Sequence, residues 1–235
     1  MKKLLSTIIT ATLLSSGVSY AASINADTKK EIEAIIDDYV SNHPEIIINA
    51  MKKLERDEQE KTQQAFLEII SNYRKSDSHP YLGKKNSKHY IIEFFDFNCG
   101  YCKVMEPYFE KALKEYDLQI IYVNIPVIRA ESAQLAYLGQ ALFETDPALY
   151  FKFHKHFMTP GNKKADESSV RELFKKIGAD YDAVIAKVPA AKGAIEQNVK
   201  DSFRLKISGT PYLIIDGKEI RGAITSYEQL KSVLK

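Results

Sequence analysis

The pattern of hydrophobic and polar positions predicts a β-α-β unit near the middle of the chain. A nearly continuous apolar run at residues 90–96 is typical of a buried strand, and residues 118–123 form a second such run. The helical pattern between them extends from about Cys99 to Tyr116 and contains Pro107, which predicts a kink. Two strands joined in this way are expected to lie parallel, with a right-handed crossover.

The second half of the chain predicts helices followed by a hairpin. Breaks that include Pro189 separate helical patterns at residues 131–144, 147–158, 167–177 and 190–206. Residues 212–215 predict a strand, Asp216-Gly217 predicts a hairpin turn, and residues 219–221 predict the returning strand. Ser226 is expected to cap a final helix.

The N-terminal part predicts two amphipathic helices. Thr28 and Glu31 fit a capping box for the first helix, and Asn42-His43-Pro44 is expected to break it. Apolar residues at helical spacing are Ile32, Ile35, Ile36, Tyr39, Val40, Ile47, Met51, Leu54, Phe66, Ile69, Ile70 and Tyr73. This segment has too little apolar surface for its own core, so it must pack on the rest of the chain or on a second copy. The charged stretch at residues 55–64 resembles a solvated connection and favours the second copy.

The first 21 residues have the features of a cleaved export signal. Lys2 and Lys3 precede an apolar stretch, and Ser19-Tyr20-Ala21 places small residues where a signal peptidase reads. An uncleaved anchor is the weaker alternative, because the stretch is shorter than the ~20 residues of a transmembrane helix. Lys2 and Lys3 are its only charges, so cleavage lowers the formal charge from +2 to zero. A neutral chain argues against nucleic acid as a partner.

We therefore expect three segments: a signal peptide (1–21), a helical oligomerisation segment with a polar linker (22–79), and a second domain (80–235). The polar linker is predicted from Ser76 to Ser87, because this stretch is mostly polar and contains proline and glycine.

The chain contains two cysteines, Cys99 and Cys102, and they lie three positions apart. A disulfide across so short a loop restricts the unfolded chain very little, so the pair suits a redox couple better than a structural cross-link. Cys99 at a helix N-terminus is expected to be the exposed nucleophile, and Cys102 the buried resolving thiol. Gly100 and Tyr101 carry no positive charge, so the dipeptide is expected to lower the pKa of Cys99 only modestly.

Two further features carry candidate chemistry. Glu93 lies within an apolar strand pattern, where it is either a buried acid that exchanges a proton with Cys102 or a strand-face residue that reaches solvent or a lysine. Thr210-Pro211 precedes an apolar strand. Proline is accepted at the start of a strand although it has no N–H to donate, and a cis peptide bond before it makes a tight turn.

We expect no metal site and no cofactor. A zinc site needs four ligands, and two cysteines supply only half of them. His154 and His156 would point apart on a helix, since residues two apart do not share a face. Transient copper binding by the two thiolates is a minor alternative.

Glu93, the Cys99/Cys102 pair and Thr210-Pro211, in this order, resemble the thioredoxin superfamily, and in particular its exported disulfide oxidoreductases of the DsbA/DsbC type. The resemblance covers residues 88–235. It implies an α/β thioredoxin fold with a helical insertion at about 128–206, preceded by an N-terminal helical extension. The extension resembles the ScsC group and Com1-like envelope proteins, which implies oligomers built through it.

The resemblance also implies roles for single residues. Pro211 would be cis, Glu93 would be the proton-transfer acid, and Thr210 would present its backbone to a substrate. Gly100, Tyr101 and Tyr212 would complete the substrate-binding surface. The DsbA dipeptide is Pro-His, so strong oxidase activity does not carry over to a chain with Gly-Tyr.

The leading hypothesis is a periplasmic thiol–disulfide oxidoreductase that acts on exported cysteine-containing proteins and has isomerase activity. We expect it to form a homodimer, with a trimer as the alternative. A DsbA-like oxidase recycled by a membrane redox partner is the alternative among enzymes. The alternative from another class is a chaperone or binding protein of the envelope, associated with the outer membrane or cell surface, whose redox couple is secondary.

Overall fold

The computed structural model describes residues 25–161 and 164–234. The predicted signal peptide lies outside the described residues. The helices are α1 (Ala26–Asn42), α2 (Glu45–Lys75), α3 (Gly100–Glu115), α4 (Ala130–Thr145), α5 (Pro147–Met158), α6 (Glu167–Ile177), α7 (Tyr181–Arg204) and α8 (Tyr227–Val233). The strands are β1 (Tyr81–Gly83), β2 (His89–Phe95), β3 (Leu118–Asn124), β4 (Tyr212–Ile215) and β5 (Lys218–Arg221). None of the described helices is both long enough and apolar enough to span a membrane.

The five strands form one sheet in the order β1-β3-β2-β4-β5. Strand β2 pairs in parallel with β3, which confirms the predicted β-α-β unit, and pairs antiparallel with β4 on its other side. Strand β5 returns antiparallel along β4, as the Asp216-Gly217 turn predicted. Because β2 lies at the centre of the sheet, nearly all of its residues are buried and the α3 N-terminus emerges beside its end.

Alternate residues of the central strands face two separate hydrophobic cores. Ile91 and Phe95 face α3 and the inserted helices, in a core that also contains Cys102 and Phe109. The opposite face of the sheet is covered by the C-terminal part of α2, which contributes Ala65, Ile69 and Tyr73. The apolar positions 66–73 therefore pack within the chain, in the compact unit that extends from Arg56 to Lys235. The sequence-based boundary after residue 79 differs from this division.

The N-terminal compact unit ends at Glu55. No residue of α1 is buried. The large apolar side chains exposed in this unit are Ile32, Ile35, Ile36, Tyr39, Ile47, Ile48, Met51 and Leu54, and we call this set the apolar stripe.

Three local predictions were wrong. Asn25, and not Thr28, caps α1, because its side-chain oxygen accepts a hydrogen bond from the Thr28 backbone N–H at 2.7 Å. Pro189 does not separate two helices but lies within α7, which packs against α4. The predicted linker contains β1, whose three residues are too few to show a strand period.

Candidate active site

Cys99 is the N-cap residue of α3. Its backbone is extended (φ −77°, ψ 110°), and its Sγ accepts a hydrogen bond from the Cys102 backbone N–H at 3.2 Å. The Cys99 N–H donates to the Asp96 carbonyl at 2.9 Å, which completes the turn between β2 and α3. The sulfur therefore occupies the place of a capping oxygen, where the unpaired N–H groups of the first helical turn favour negative charge. Both cysteines are free thiols.

The environment of Cys99 lowers its pKa from an ordinary value of 9.0 to about 6. The largest cause is a hydrogen bond from the Cys102 thiol, followed by the Thr210 hydroxyl and the backbone N–H groups of Cys102 and Tyr101, while burial opposes the shift. None of these contributions comes from a side chain of the Gly100-Tyr101 dipeptide. This agrees with the expectation that the dipeptide itself adds little, because the lowering comes from the fold around Cys99.

The expectation of an exposed Cys99 was wrong, since only 3% of its surface is accessible. The reason is that the Sγ turns inward to cap α3 instead of projecting from the helix end. Cys102, one turn further on, is fully buried as expected, and burial raises the pKa of its thiol, with further contributions from Cys99 and Glu93. The two thiols therefore differ strongly in acidity, and Cys99 is the more acidic of the two.

Glu93 is fully buried on the face of β2 that packs against α3. Neither carboxyl oxygen has a hydrogen-bond partner of ordinary geometry among the described residues. Burial is the largest cause that raises the pKa of Glu93, followed by the nearby Glu106 and Cys99, and the Cys102 thiol offsets this only in part. The alternative in which Glu93 reaches solvent or a lysine is therefore wrong.

The Thr210-Pro211 bond is cis, as the resemblance implied. Thr210 lies beside Cys99, where its hydroxyl helps to lower the pKa of that thiol. Tyr212 differs from the expectation, because its buried side chain belongs to the core on the opposite face of the sheet and its hydroxyl donates to Glu219 at 2.7 Å. Its side chain therefore does not face Cys99. In contrast, Gly100 is exposed and Tyr101 has 68% of its surface accessible.

Asp96 is a site residue that the sequence analysis missed. Its buried carboxylate accepts four hydrogen bonds, from the Asn98 N–H and the Ser132 hydroxyl at 2.8 Å each, from the Val127 N–H at 2.8 Å and from the Ile128 N–H at 2.9 Å. These bonds join the loop before Cys99 to the loop between β3 and α4. An acid between Phe95 and Phe97, directly after a buried strand, was the signal that could have indicated it.

Residues 25–161 and 164–234 contain no cluster of three or more His, Cys, Asp or Glu side chains that could hold a metal ion. His154 is buried whereas His156 is partly exposed, so the two histidines lie on different faces of α5, as expected.

We expect the thiolate of Cys99 to form with a midpoint near pH 6, as measured by absorbance at about 240 nm and by the rate of alkylation of the reduced protein. The folded-state pKa lies below the unfolded-state value, so the thiolate stabilises the reduced protein above pH 9.0 and this contribution is lost as the pH falls towards 6. A midpoint above pH 8 would contradict the capping interaction described here.

The chain is similar to known families and proteins. Residues 75–235 match a family model described as thioredoxin, and residues 29–61 match one described as the N-terminal domain of the copper resistance protein ScsC. Among curated proteins, the "Probable disulfide bond formation protein D" of Bacillus cereus is 26% identical over 152 residues, which covers 58% of this chain and 69% of that protein.

Two solved structures are similar over most of their length. The catalytic domain of Proteus mirabilis ScsC is 25% identical, with a TM-score of 0.65 over 73% of this chain and 95% of that one. The thiol-disulfide exchange protein alpha-DsbA2 of Wolbachia pipientis is 22% identical, with a TM-score of 0.65 over 76% of this chain and 96% of that one. At 22% identity, the similarity to alpha-DsbA2 shows a shared fold only.

Proposed function

This chain belongs to the thioredoxin family and is a thiol–disulfide oxidoreductase, and we propose that it rearranges disulfides in exported, cysteine-containing proteins through Cys99 and Cys102. The observation that carries the proposal is the capped Cys99 thiol, whose pKa is about 6, directly above a buried Cys102 thiol. At neutral pH such a pair combines a reactive thiolate with a protonated reserve thiol, which is the arrangement that disulfide exchange requires.

The reaction proceeds through a mixed disulfide. The Cys99 thiolate attacks one sulfur of a substrate disulfide, a Cys99–substrate bond forms, and the other substrate sulfur leaves as a thiolate. The Cys102 thiol then gives its proton to the Glu93 carboxylate and attacks the Cys99 sulfur, which releases the second substrate thiolate. In isomerisation a substrate thiolate attacks first, so the substrate leaves with a rearranged disulfide and Cys99 is again free.

The exposed surface around Cys99 suits an extended polypeptide. Gly100 has no side chain, which lets a substrate backbone approach the sulfur, and the ring of Tyr101 offers an apolar contact next to it. Thr210 also lies beside Cys99, where its backbone would pair with the substrate segment in the manner of an added strand. The backbone of Tyr212, but not its side chain, would continue this edge.

We assign oligomerisation to the apolar stripe. Eight large apolar side chains are exposed among residues 32–54, and this region lies within the match to the ScsC N-terminal domain. Exposed apolar residues at helical spacing are typical of helices that pack against a partner. We propose a homodimer, with a trimer as the alternative, in which two or more active sites surround one misfolded substrate and favour isomerisation.

The cellular setting follows from the export signal. We propose that residues 1–21 direct the chain to the periplasm, where a membrane redox partner resets the Cys99/Cys102 couple, with the outer membrane or cell surface as an alternative place. The alternative functions are a DsbA-like oxidase and an envelope chaperone. The exposed apolar stripe favours the isomerase over the oxidase, and the low pKa of Cys99 favours redox chemistry over simple binding.

Reactivation of scrambled ribonuclease in a glutathione buffer tests this function. We expect the mature chain to be oligomeric by light scattering and to reactivate the substrate, because clustered active sites raise the effective concentration of thiols. The double variant Ile35→Asp, Ile36→Asp should become monomeric and lose at least about tenfold in reactivation, while it still oxidises a dithiol peptide.

Leu67→Asp is the matched control, since Leu67 is an equally exposed apolar residue of the compact unit that begins at Arg56. Leu67→Asp should change neither the oligomeric state of the protein nor its reactivation of ribonuclease. A monomeric mature chain, or full reactivation by the Ile35→Asp, Ile36→Asp variant, would reject the role of the apolar stripe.

A further inference from the structure

Two positively charged side chains adjoin the turn that holds Cys99 and have no role in the exchange described above. Lys103 lies one helical turn after Cys99, whose carbonyl accepts a hydrogen bond from the Lys103 N–H at 3.3 Å. Arg129 is the N-cap residue of α4. Lys103 is partly buried and Arg129 is exposed. Within residues 25–161 and 164–234, neither side chain takes part in a salt bridge.

Hydrogen bonds connect Arg129 to the turn before α3. The Arg129 N–H donates to the Ser132 Oγ at 3.2 Å, and the Ser132 hydroxyl donates to the Asp96 Oδ1 at 2.8 Å. The Asp96 carbonyl in turn accepts a hydrogen bond from the Cys99 N–H at 2.9 Å. Arg129 is therefore held beside the active-site turn, although it lies 30 positions from Cys99 in the sequence.

Lys103 lies within electrostatic reach of both Arg129 and Cys99. Burial is the largest cause that lowers the pKa of Lys103, and the charge of Arg129 lowers it further. Cys99 and Asp96 act in the opposite direction. The Asp96 carboxylate already accepts four hydrogen bonds, so the Cys99 thiolate is the counter-charge that the reaction changes.

Disulfide exchange removes this counter-charge. When the Cys99 thiolate attacks a substrate disulfide, a Cys99–substrate bond forms and the negative charge leaves with the other substrate sulfur. Lys103 and Arg129 then lie beside a neutral mixed disulfide, and their mutual repulsion is no longer offset by the thiolate. An anion on the bound part of the substrate would replace the lost charge, because opposite charges attract most strongly where water is partly excluded.

We propose that Lys103 and Arg129 bind the carboxylate of an aspartate or glutamate that flanks the reacting cysteine of the substrate. The inference rests on the proposed function of Cys99 and names a class of substrate for it: exported proteins with an acidic residue next to a disulfide. The carboxylate takes no part in bond making or breaking. Lys103 and Arg129 therefore determine specificity, and the bonds are exchanged by the cysteines alone.

Two fluorescent disulfide peptides test this proposal. They are identical except for aspartate or asparagine next to the cysteine, and each rate of cleavage by the reduced protein is divided by the rate with free dithiothreitol. We expect the aspartate peptide to be cleaved about fivefold faster at low ionic strength, and the ratio to approach one in concentrated salt, since salt screens exposed charges. Both peptides meet the same thiolate, so the ratio does not depend on the pKa of Cys99.

Charge-removing variants identify the residues responsible. Lys103→Gln and Arg129→Gln should each lower the ratio to about twofold or less, and the double variant should lower it to about one. Arg129→Lys keeps the positive charge and should keep the preference for aspartate. Lys114→Gln is the matched control, because Lys114 is an exposed lysine in the last turn of α3, and it should leave the ratio unchanged.

The results separate this inference from the function on which it rests. Equal cleavage of the two peptides by the unchanged protein overturns the role of Lys103 and Arg129 but leaves the function of Cys99 intact. A preference for aspartate that persists in the folded double variant has the same meaning. If the reduced protein cleaves neither peptide, both the inference and the proposed function are rejected.

Discussion

Replacing Cys99 by serine is expected to reduce disulfide exchange by about a thousandfold or more, because removal of an essential nucleophile leaves only residual activity. The capped position favours a negative charge on the side chain, but a serine hydroxyl does not ionise near neutral pH. The measurement is the rate at which the reduced protein cleaves a fluorescent disulfide peptide. Activity within tenfold of the unchanged protein would show that Cys99 is not the attacking thiol.

Cys102→Ser is the matched partner of this variant and has a different expected result. Cys99 should still attack, since its backbone capping contacts come from Cys102 and Tyr101 N–H groups that serine at position 102 retains. Without a resolving thiol, the mixed disulfide with the substrate should accumulate and be detected by mass spectrometry under non-reducing conditions. Accumulation in Cys99→Ser instead would reverse the two roles.

The second large effect is expected on stability. Asp96→Ala removes a buried carboxylate that accepts four hydrogen bonds, and leaves the N–H groups of Val127 and Ile128 without their acceptor. Loss of hydrogen bonds to a buried carboxylate costs about 2–3 kcal/mol of unfolding free energy. Urea unfolding of the reduced protein measures this cost. Asp96→Asn, which keeps one acceptor oxygen, should lose less.

Asp166→Ala provides the matched control for Asp96→Ala. Asp166 also accepts hydrogen bonds from a backbone N–H and from serine hydroxyls, but it is an exposed N-cap of α6. Loss of such a cap costs about 1 kcal/mol. If Asp96→Ala costs no more than Asp166→Ala, the Asp96 network does not hold the loop before Cys99 in place.

The buried acids around the cysteines show a conflict between stability and chemistry. Glu93 is buried without a hydrogen-bond partner of ordinary geometry among the described residues, which is unfavourable for folding. Asp96, three residues later, is equally buried but fully hydrogen-bonded, and it holds the loop in position. We infer that the two carboxyl groups serve different ends: Asp96 fixes the geometry of Cys99, and Glu93 accepts the proton that Cys102 releases when it attacks.

Local features of the chain were sufficient to predict the β-α-β unit, the Asp216-Gly217 hairpin and the position of Cys99 at a helix start. Each depends on periodicity, a turn signal or a cap within a few residues, and such information is contained in short segments. The order Glu93, Cys99, Cys102, Thr210-Pro211 was likewise enough to identify the fold and the thiol–disulfide chemistry.

Only the tertiary structure determined which buried polar groups meet. Ser132 lies 36 positions from Asp96, and His154 lies 48 positions from Glu106, so no local pattern joins them. The inward turn of the Cys99 sulfur, the face of the sheet on which Tyr212 lies, and the packing of residues 65–73 of α2 against the sheet also depend on distant segments. The physical reason is that a helix cap or a hydrophobic period involves residues that are close in sequence. The partners of a buried carboxylate or of an apolar helix face are distant in sequence and come into contact only in the complete fold.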